Sequence, residues 1–328
     1  FSYAREWVEA SRQAGRGERD AAPLLGGDLP EPEPALRTVT LEGLARFFKN
    51  PARWLLRERL GVRPEQGEEA LATREPFVLD GLENYQLVGQ MLDLHLDRRP
   101  VAEIEKIVRA SGALPHGQVG ECVFAEAQAR VVRFAGRLGR TLSRREAEWL
   151  NVDLALDEFR LTDRLTGLTP AGWVGYRLAS MKAADYLNLW LHHLALNVAA
   201  PAGVARQSHW VAEDRDVILN PVAEPEQQLR ALLALYWQGS RRLVHFFPKS
   251  ALAYIERFRK EQDADKALWS ARKVWEGDGY REGSAERDDA YYRLAFRDSD
   301  PLDAEFVELA AAVFDPLFAH VRPDGEDE

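Results

Sequence analysis

The chain has 328 residues, 46% of them hydrophobic and 29% charged, enough to bury a real core in one large domain or two modest ones, which excludes a disordered chain. A formal net charge of −10 argues against a surface that coats nucleic acid all over, because phosphate binding draws on clustered Lys and Arg. The single cysteine, Cys122, excludes an intramolecular disulfide and a thiolate zinc site.

No signal peptide and no apolar run of roughly 18 residues is apparent, so a cytoplasmic protein without a membrane partner is expected. Phe1 in place of a methionine reads as the start of a fragment cut from something longer. Residues 1–40 carry a short helical pattern, YAREWVEASRQ, and then GRGERDAAPLLGGDLPEPEPALR, a Gly- and Pro-rich linker or surface strap. From Leu41 the apolar residues Leu41, Leu44, Phe47, Phe48, Trp54 and Leu55 recur at helical spacing. Pro51 interrupts them. Asn50-Pro51 therefore reads as the end of one helix and the start of the next, since proline disfavours helical geometry before it and suits a first turn.

This helix-break-helix segment is locally basic. Between Arg37 and Arg63, seven basic residues face only Glu42 and Glu58. Arg46, Lys49, Arg53 and Arg57 are the candidates for DNA or partner contact, although helical spacing keeps all four from sharing one face. Phe47, Phe48 and Trp54 read as core. Further helices are expected at LDGLENYQLVGQMLDLHL and CVFAEAQARVVRFAGRLG.

At Asn151 the period changes to near two. Val152, Leu154 and Leu156 alternate with polar neighbours, Phe159, Leu161 and Asp163 follow, and GWVGYRL, SHWVAE and DVILNPV continue as short strands. MKAADYLNLWLHHLALNVAA returns to helical spacing between them. The order predicts a mixed sheet flanked by helices. Beyond Glu224 the chain is mostly helical, through EQQLRALLALYWQG, KSALAYIERFRK, KALWSARKVW and DAEFVELAAAVFDPLFAHV, and it ends on the acidic PDGEDE.

The segment FRLTDRLTGLTPAGWVGYRL has the layout of a PD-(D/E)xK nuclease hairpin, in which an acid on one strand faces an acid and a lysine two residues apart on the next. Residues i and i+2 of a strand project from one face, so acid and lysine converge on one divalent ion and one water. Asp163 stands at the first position, with Gly175 and Arg177 at the other two. Glycine has no ligand atom, and arginine stays protonated and cannot act as a base. Asp163 alone reads as a capping or salt-bridging residue near a hairpin turn rather than as a metal ligand. Glu121 is a second remnant acid, otherwise a carboxylate at a helix N-terminus. A degenerate site at Glu121, Asp163, Gly175 and Arg177 is thus expected, with no catalytic residue, no metal and no cofactor.

Asp185, Asn188 and His192 share a helical face, but the adjacent His192 and His193 point about 100° apart, so packing and hydrogen bonding are expected there rather than zinc. In RRLVHFFPKSALAY, the basic Arg241, Arg242, His245 and Lys249 are interleaved with Phe246, Phe247 and Tyr254. They offer either a DNA-tracking surface or a solvated rim around a core. Ser180, Ser208 and Ser250 sit in no nucleophile elbow, and no GxxxxGK[ST] loop occurs, so ATP hydrolysis is not expected.

The blocks LARFFKNPARWLLRERLGV, EPFVLDGLENYQL, LPHGQVGE, LNLWLHHL, HFFPKSALAY and WEGDGYREGSAERDDAYYRLAFRD, spread in order from about Leu44 to Asp298, resemble the C-terminal region of the RecC family, the gamma chain of exodeoxyribonuclease V. The resemblance implies a nuclease-like domain that has lost its active site. It further implies a subunit of a helicase-nuclease for double-strand-break repair that channels and splits DNA and takes part in recognising Chi, with RecB-like and RecD-like partners and a DNA end. The expected organisation is a helix and linker over 1–40, a degenerate nuclease-like α/β domain with large helical additions over 41–320, and an acidic tail over 321–328. Two other readings stay open: an active metal-dependent nuclease with an unorthodox site around Glu121 and Asp163, and a docking domain that never touches DNA.

Overall fold

A computed structural model of the chain describes residues 24–25, 27–64, 79–142, 148–277, 285–297 and 299–323. The helix expected near the start and residues 324–328 of the acidic tail lie outside these. Eleven α-helices and six β-strands are present among the described residues. They gather into two compact units built from interleaved segments. A sheet unit comprises the described residues of 33–49, 66–236 and 311–328, and a helical unit those of 1–32, 50–65 and 237–310.

In the sheet unit the strands are β1 (Thr38–Thr40), β2 (Glu148–Leu156), β3 (Phe159–Thr169), β4 (Gly172–Arg177), β5 (Ser208–Ala212) and β6 (Asp216–Leu219). They form a mixed sheet in the order β1-β3-β4-β5-β6, with β2 on the other edge of β3. The alternation read from the sequence holds: Val152, Leu156, Leu161, Leu165 and Leu168 are buried, and Asp153, Arg160 and Arg164 are exposed. β2 and β3 form a hairpin whose turn places Asp157 at φ 53°, a left-handed conformation that Asp tolerates. β1, which the sequence reading does not single out, runs parallel to β3 with Val39 opposite Leu161.

Helices cover both faces, because alternate residues of β4 need apolar partners on each side. α3 (Gly81–Leu96), α4 (Val101–Ala110) and α5 (Gly117–Thr141) pack Leu87, Met91, Ile104, Val108, Val131 and Phe134 against Val174, Leu178 and Val211. On the other face lies α6 (Ala183–Ala199), whose His192 stacks on Trp173 and whose Asp185 pairs with Arg177. α1 (Leu41–Lys49) packs on α6, so α6 is apolar nearly all round, as a helix covered on several sides must be.

In the helical unit, Asn50 caps α2 (Pro51–Trp54) by accepting from the Arg53 amide at 2.8 Å, and the helix continues into a π turn over Leu55–Arg59. The helix, break, helix reading of Asn50-Pro51 is correct. α8 (Pro248–Glu261) and α9 (Ala264–Glu276) form a hairpin through Gln262 at φ 53° and the Asp263 cap. Glu286 is buried and accepts from the amides of Lys249 and Ser250 and from the Ser250 hydroxyl, which satisfies the first turn of α8. Around Phe247 gather Trp275, Tyr292, Phe296 and Phe306, with ring centroids 4.3 to 6.1 Å away. The chain also forms α7 (Pro225–Gly239), α10 (Ala290–Phe296) and α11 (Ala304–Ala319).

Candidate functional site

β3 and β4 pair only beside their turn, at Leu168↔Trp173 and Thr169↔Gly172. Beyond that point the strands part, and a cleft of about 590 Å³ opens between them, within the range of small-ligand sites. Its lining includes Glu42, Lys49, Asp163, Arg164, Gly175, Asn188 and His192, with Trp173 and Trp210. The expected first and second nuclease positions therefore share one cleft.

Position 175 is closed by packing. A Cβ built there would lie 2.6 Å from Cε3 and 2.8 Å from Cζ3 of Trp210, and closer still to the Trp173 ring. Two indoles occupy the volume a carboxylate would need. Trp210 stands there because β4 and β5 pair in parallel with Gly175 opposite Trp210. Trp173 is pinned by its indole N–H, which donates to the Thr166 carbonyl at 2.9 Å, and by His192 stacked at 4.6 Å.

Asp163 is engaged in local structure. Its carboxylate accepts from the amide of Arg164 at 2.7 Å and from the amide of Glu42, at the start of α1, at 3.3 Å. The capping role weighed for it from sequence is what the geometry gives. Arg177 does not line the cleft: its Nη2 donates to the Ser180 carbonyl and to Asp185, both at 2.6 Å. Asp185 also accepts from the Lys182 amide at the N-terminus of α6, and burial, outweighing these contacts, raises its pKa. Glu121 is exposed in the second turn of α5, past the first turn expected for it, and does not line the cleft. No group of three or more His, Cys, Asp and Glu among the described residues is arranged to hold a metal ion.

The histidine pair is packed, as expected, though inside the fold. His193 is fully buried; its Nε2 donates to the Asn220 carbonyl at 3.0 Å, so its Nδ1 accepts from the Ser208 hydroxyl at 2.9 Å. Burial pushes its pKa down to about 4. The Nδ1–H of His192 donates to the Asn188 carbonyl at 2.7 Å, which leaves Nε2 as an acceptor, and burial lowers its pKa too.

The basic candidates are mostly committed to acids. Arg46 pairs with Glu42, Arg53 with Asp289 while lying over the Tyr291 ring, and Arg57 with Glu58 at 3.6 Å. Arg241 faces Asp28, Arg242 pairs with Glu305, and His245 pairs with Asp303 at 2.9 Å. Lys249 is exposed. Phe246 and Phe247 are buried, which removes them as base-stacking platforms and leaves the rim reading for their neighbours. Lys49 differs: it reaches the cleft and makes no ion pair among the described residues.

The described residues thus define a mixed α/β protein with a six-stranded sheet, in which two indoles pack over Gly175 and Asp163 accepts from backbone amides. Residues 36–259 match the family described as RecC C-terminal domain, and the chain belongs to that family. It is 30% identical to the RecBCD enzyme subunit RecC of Escherichia coli (strain K12) over 331 aligned residues, covering 97% of this chain and 28% of that protein. With the Mycobacterium tuberculosis (strain H37Rv) subunit of the same name it shares 26% identity over 289 residues, and with that of Buchnera aphidicola from Acyrthosiphon pisum 20% over 264. The chain spans about a quarter of the length of these relatives. No helix among the described residues is long and apolar enough to cross a membrane.

Trp173 and Trp210 were not recognised from sequence as site residues, and Asn188 was weighed only with Asp185 and His192 as one helical face. The aromatic flanks of VGY and the Trp of SHWVAE were visible, but their meeting over Gly175 depends on the register between β4 and β5.

Proposed function

We propose that the chain is the non-catalytic, nuclease-like domain of a RecC-type subunit, serving as scaffold and DNA guide in a double-strand-break repair helicase-nuclease with RecB-like and RecD-like partners and DNA ends. The observation that carries the inactive reading is the filling of position 175 by Trp173 and Trp210. Hydrolysis by a metal-bound water needs several oxygen ligands in one place, and here Asp163 is held by backbone amides while Arg177 is held by Asp185. The guiding part of the reading is supported by membership of the family and by cations that reach the cleft. The purified protein should show no Mg²⁺- or Mn²⁺-dependent plasmid nicking. Nicking that survives rigorous purification and disappears in Asp163→Ala would replace this reading with the active-nuclease one.

Pure docking without DNA has one observation in its favour: Leu82, Tyr85, Val101 and Val119, on or beside α3 to α5, are exposed apolar residues. Binding to forked DNA at two salt concentrations separates the readings, since phosphate contacts weaken as salt rises.

A further inference from the structure

The cleft has lost a metal site's chemistry and carries another. Trp173 and Trp210, largely buried but each still 6% exposed where they line the cleft, form a run of rings with His192, which lies 4.6 Å from Trp173 at 20°, while Trp210 lies 6.1 Å from Trp173 at 40°. Polar groups stand beside it, namely the Asn188 amide and the Nε2 acceptor of His192. An amide and a ring acceptor next to a stacking surface match the donor and acceptor edges of a nucleobase.

Charge at the rim points the same way. The cleft's two acids are already engaged, Glu42 with Arg46 and Asp163 with the amides of Glu42 and Arg164. Its two cations have no carboxylate partner among the described residues: Lys49 is exposed, and the Arg164 guanidinium carbon lies over Trp149, 3.9 Å from the ring centroid. Amide hydrogen bonds leave the Asp163 charge in place, but with Glu42 matched by Arg46 the two cations outnumber that one carboxylate, so the rim keeps a small net positive charge toward an approaching anion.

We infer that the cleft between β3 and β4 receives one nucleotide of a single DNA strand, with the base against the Trp173, His192 and Trp210 wall and the phosphate at Lys49 and Arg164. The inference rests on the DNA-guiding reading above and names the ligand of that site. Such a nucleotide is held and not cleaved, since nothing at position 175 can bind an ion. Holding an unpaired base keeps a separated strand from re-annealing, and stacking tolerates any base because each has a π-face.

The test uses the full-length parent chain in its assembled complex, bound to a forked duplex whose single-stranded arms carry 5-iododeoxyuridine at one position at a time. After irradiation, adducts are mapped by mass spectrometry. The expected result is an adduct on the peptides of Trp173 or Trp210 from one arm position. It should be lost in Lys49→Gln/Arg164→Gln, whose plot of log affinity against log salt should be shallower by about 0.7, the value for one neutralised phosphate of a single strand. Both side chains are exposed and make no ion pair among the described residues, so the fold should survive. Adducts confined to other parts of this domain, with an unchanged slope, would overturn the cleft assignment and leave DNA guiding intact. No adduct anywhere in the domain would overturn both. Protection of Lys49 from acetylation by a partner subunit in the DNA-free complex would also overturn it, assigning the cleft to a protein segment.

Discussion

Replacing Gly175 by aspartate restores on paper the second carboxylate of a nuclease motif, and Arg177→Lys restores the lysine. The geometry predicts damage rather than recovery. Gly175 does not have positive φ, so backbone strain plays no part and the effect is steric. A Cβ at 2.6 and 2.8 Å from Trp210, and nearer still to Trp173, must displace two buried indoles, one hydrogen-bonded to Thr166. Overpacking of this kind costs about 1 to 3 kcal/mol, so Gly175→Ala alone should destabilise by about 2 kcal/mol. Aspartate adds an unpaired carboxylate in a buried position, which raises the total to about 4 kcal/mol or more. For a unit of this size that lowers the melting temperature by about 10 °C. Thermal unfolding followed by circular dichroism, with calorimetric titration of Mn²⁺, measures both consequences. Combining Gly175→Ala with Trp210→Leu should lose less than the sum of the two alone, because the second change makes room for the first. A Gly175→Ala protein as stable as wild type would refute the steric account. So would a Gly175→Asp/Arg177→Lys protein that melts normally, binds Mn²⁺ and nicks DNA.

Arg177→Ala should destabilise by about 3 kcal/mol in chemical denaturation, the low end for a broken buried pair, because Arg177 remains 21% exposed while Asp185 is left at 6%; a change below half of that would make the pair incidental. His193, held near 4 when folded against a usual 6.5, binds fewer protons folded than unfolded between those values. Its contribution is complete above about pH 6.5 and is lost as pH falls toward 4, up to about 3 kcal/mol. Denaturation midpoints that do not decline over this range, or that decline equally in His193→Gln, would contradict it. Replacing Arg46, Lys49, Arg53 and Arg57 together by alanine should weaken fork binding and reduce its salt dependence, with Lys49→Ala alone giving much of the effect because the other three face acids. Arg53→Ala should also lower stability by up to about 1 kcal/mol through the lost Asp289 and Tyr291 contacts. Unchanged fork binding in the quadruple variant removes the patch from the account.

Local signals were legible and distant ones were not. Strands over 152 to 178 were readable because Val152, Leu161, Leu165 and their polar neighbours alternate, and the Asn50-Pro51 break was readable because capping and proline chemistry act within four residues. β1 escaped notice: three residues with one buried side chain, Val39, make no periodic signal, and its strand character comes from β3. α4 buries only Ile104 and Val108, too little to stand out beside its longer neighbours. At the site, the absence of a ligand atom at Gly175 could be read directly, but the reason a glycine is required there could not, since Trp210 arrives through parallel register. The partners of Asp163 and Arg177 were hidden for the same reason: one is the helix start 121 residues upstream, the other an acid on the next helix.

The interleaving of the two units limits how the chain can be made and cut. The sheet unit draws on residues near 40, its strands run to Leu219, and that last strand is bridged to Val321, beyond the whole helical unit in sequence. The Glu42 amide of α1 donates to Asp163, 121 residues on, and Leu219 of β6 is bridged to Val321, so contacts of the sheet unit close over long stretches of chain, the kind of topology that slows folding. The family match ends at residue 259, inside α8, which makes that limit a poor place to truncate. No single cut frees either unit, because each is assembled from three separate segments of the chain.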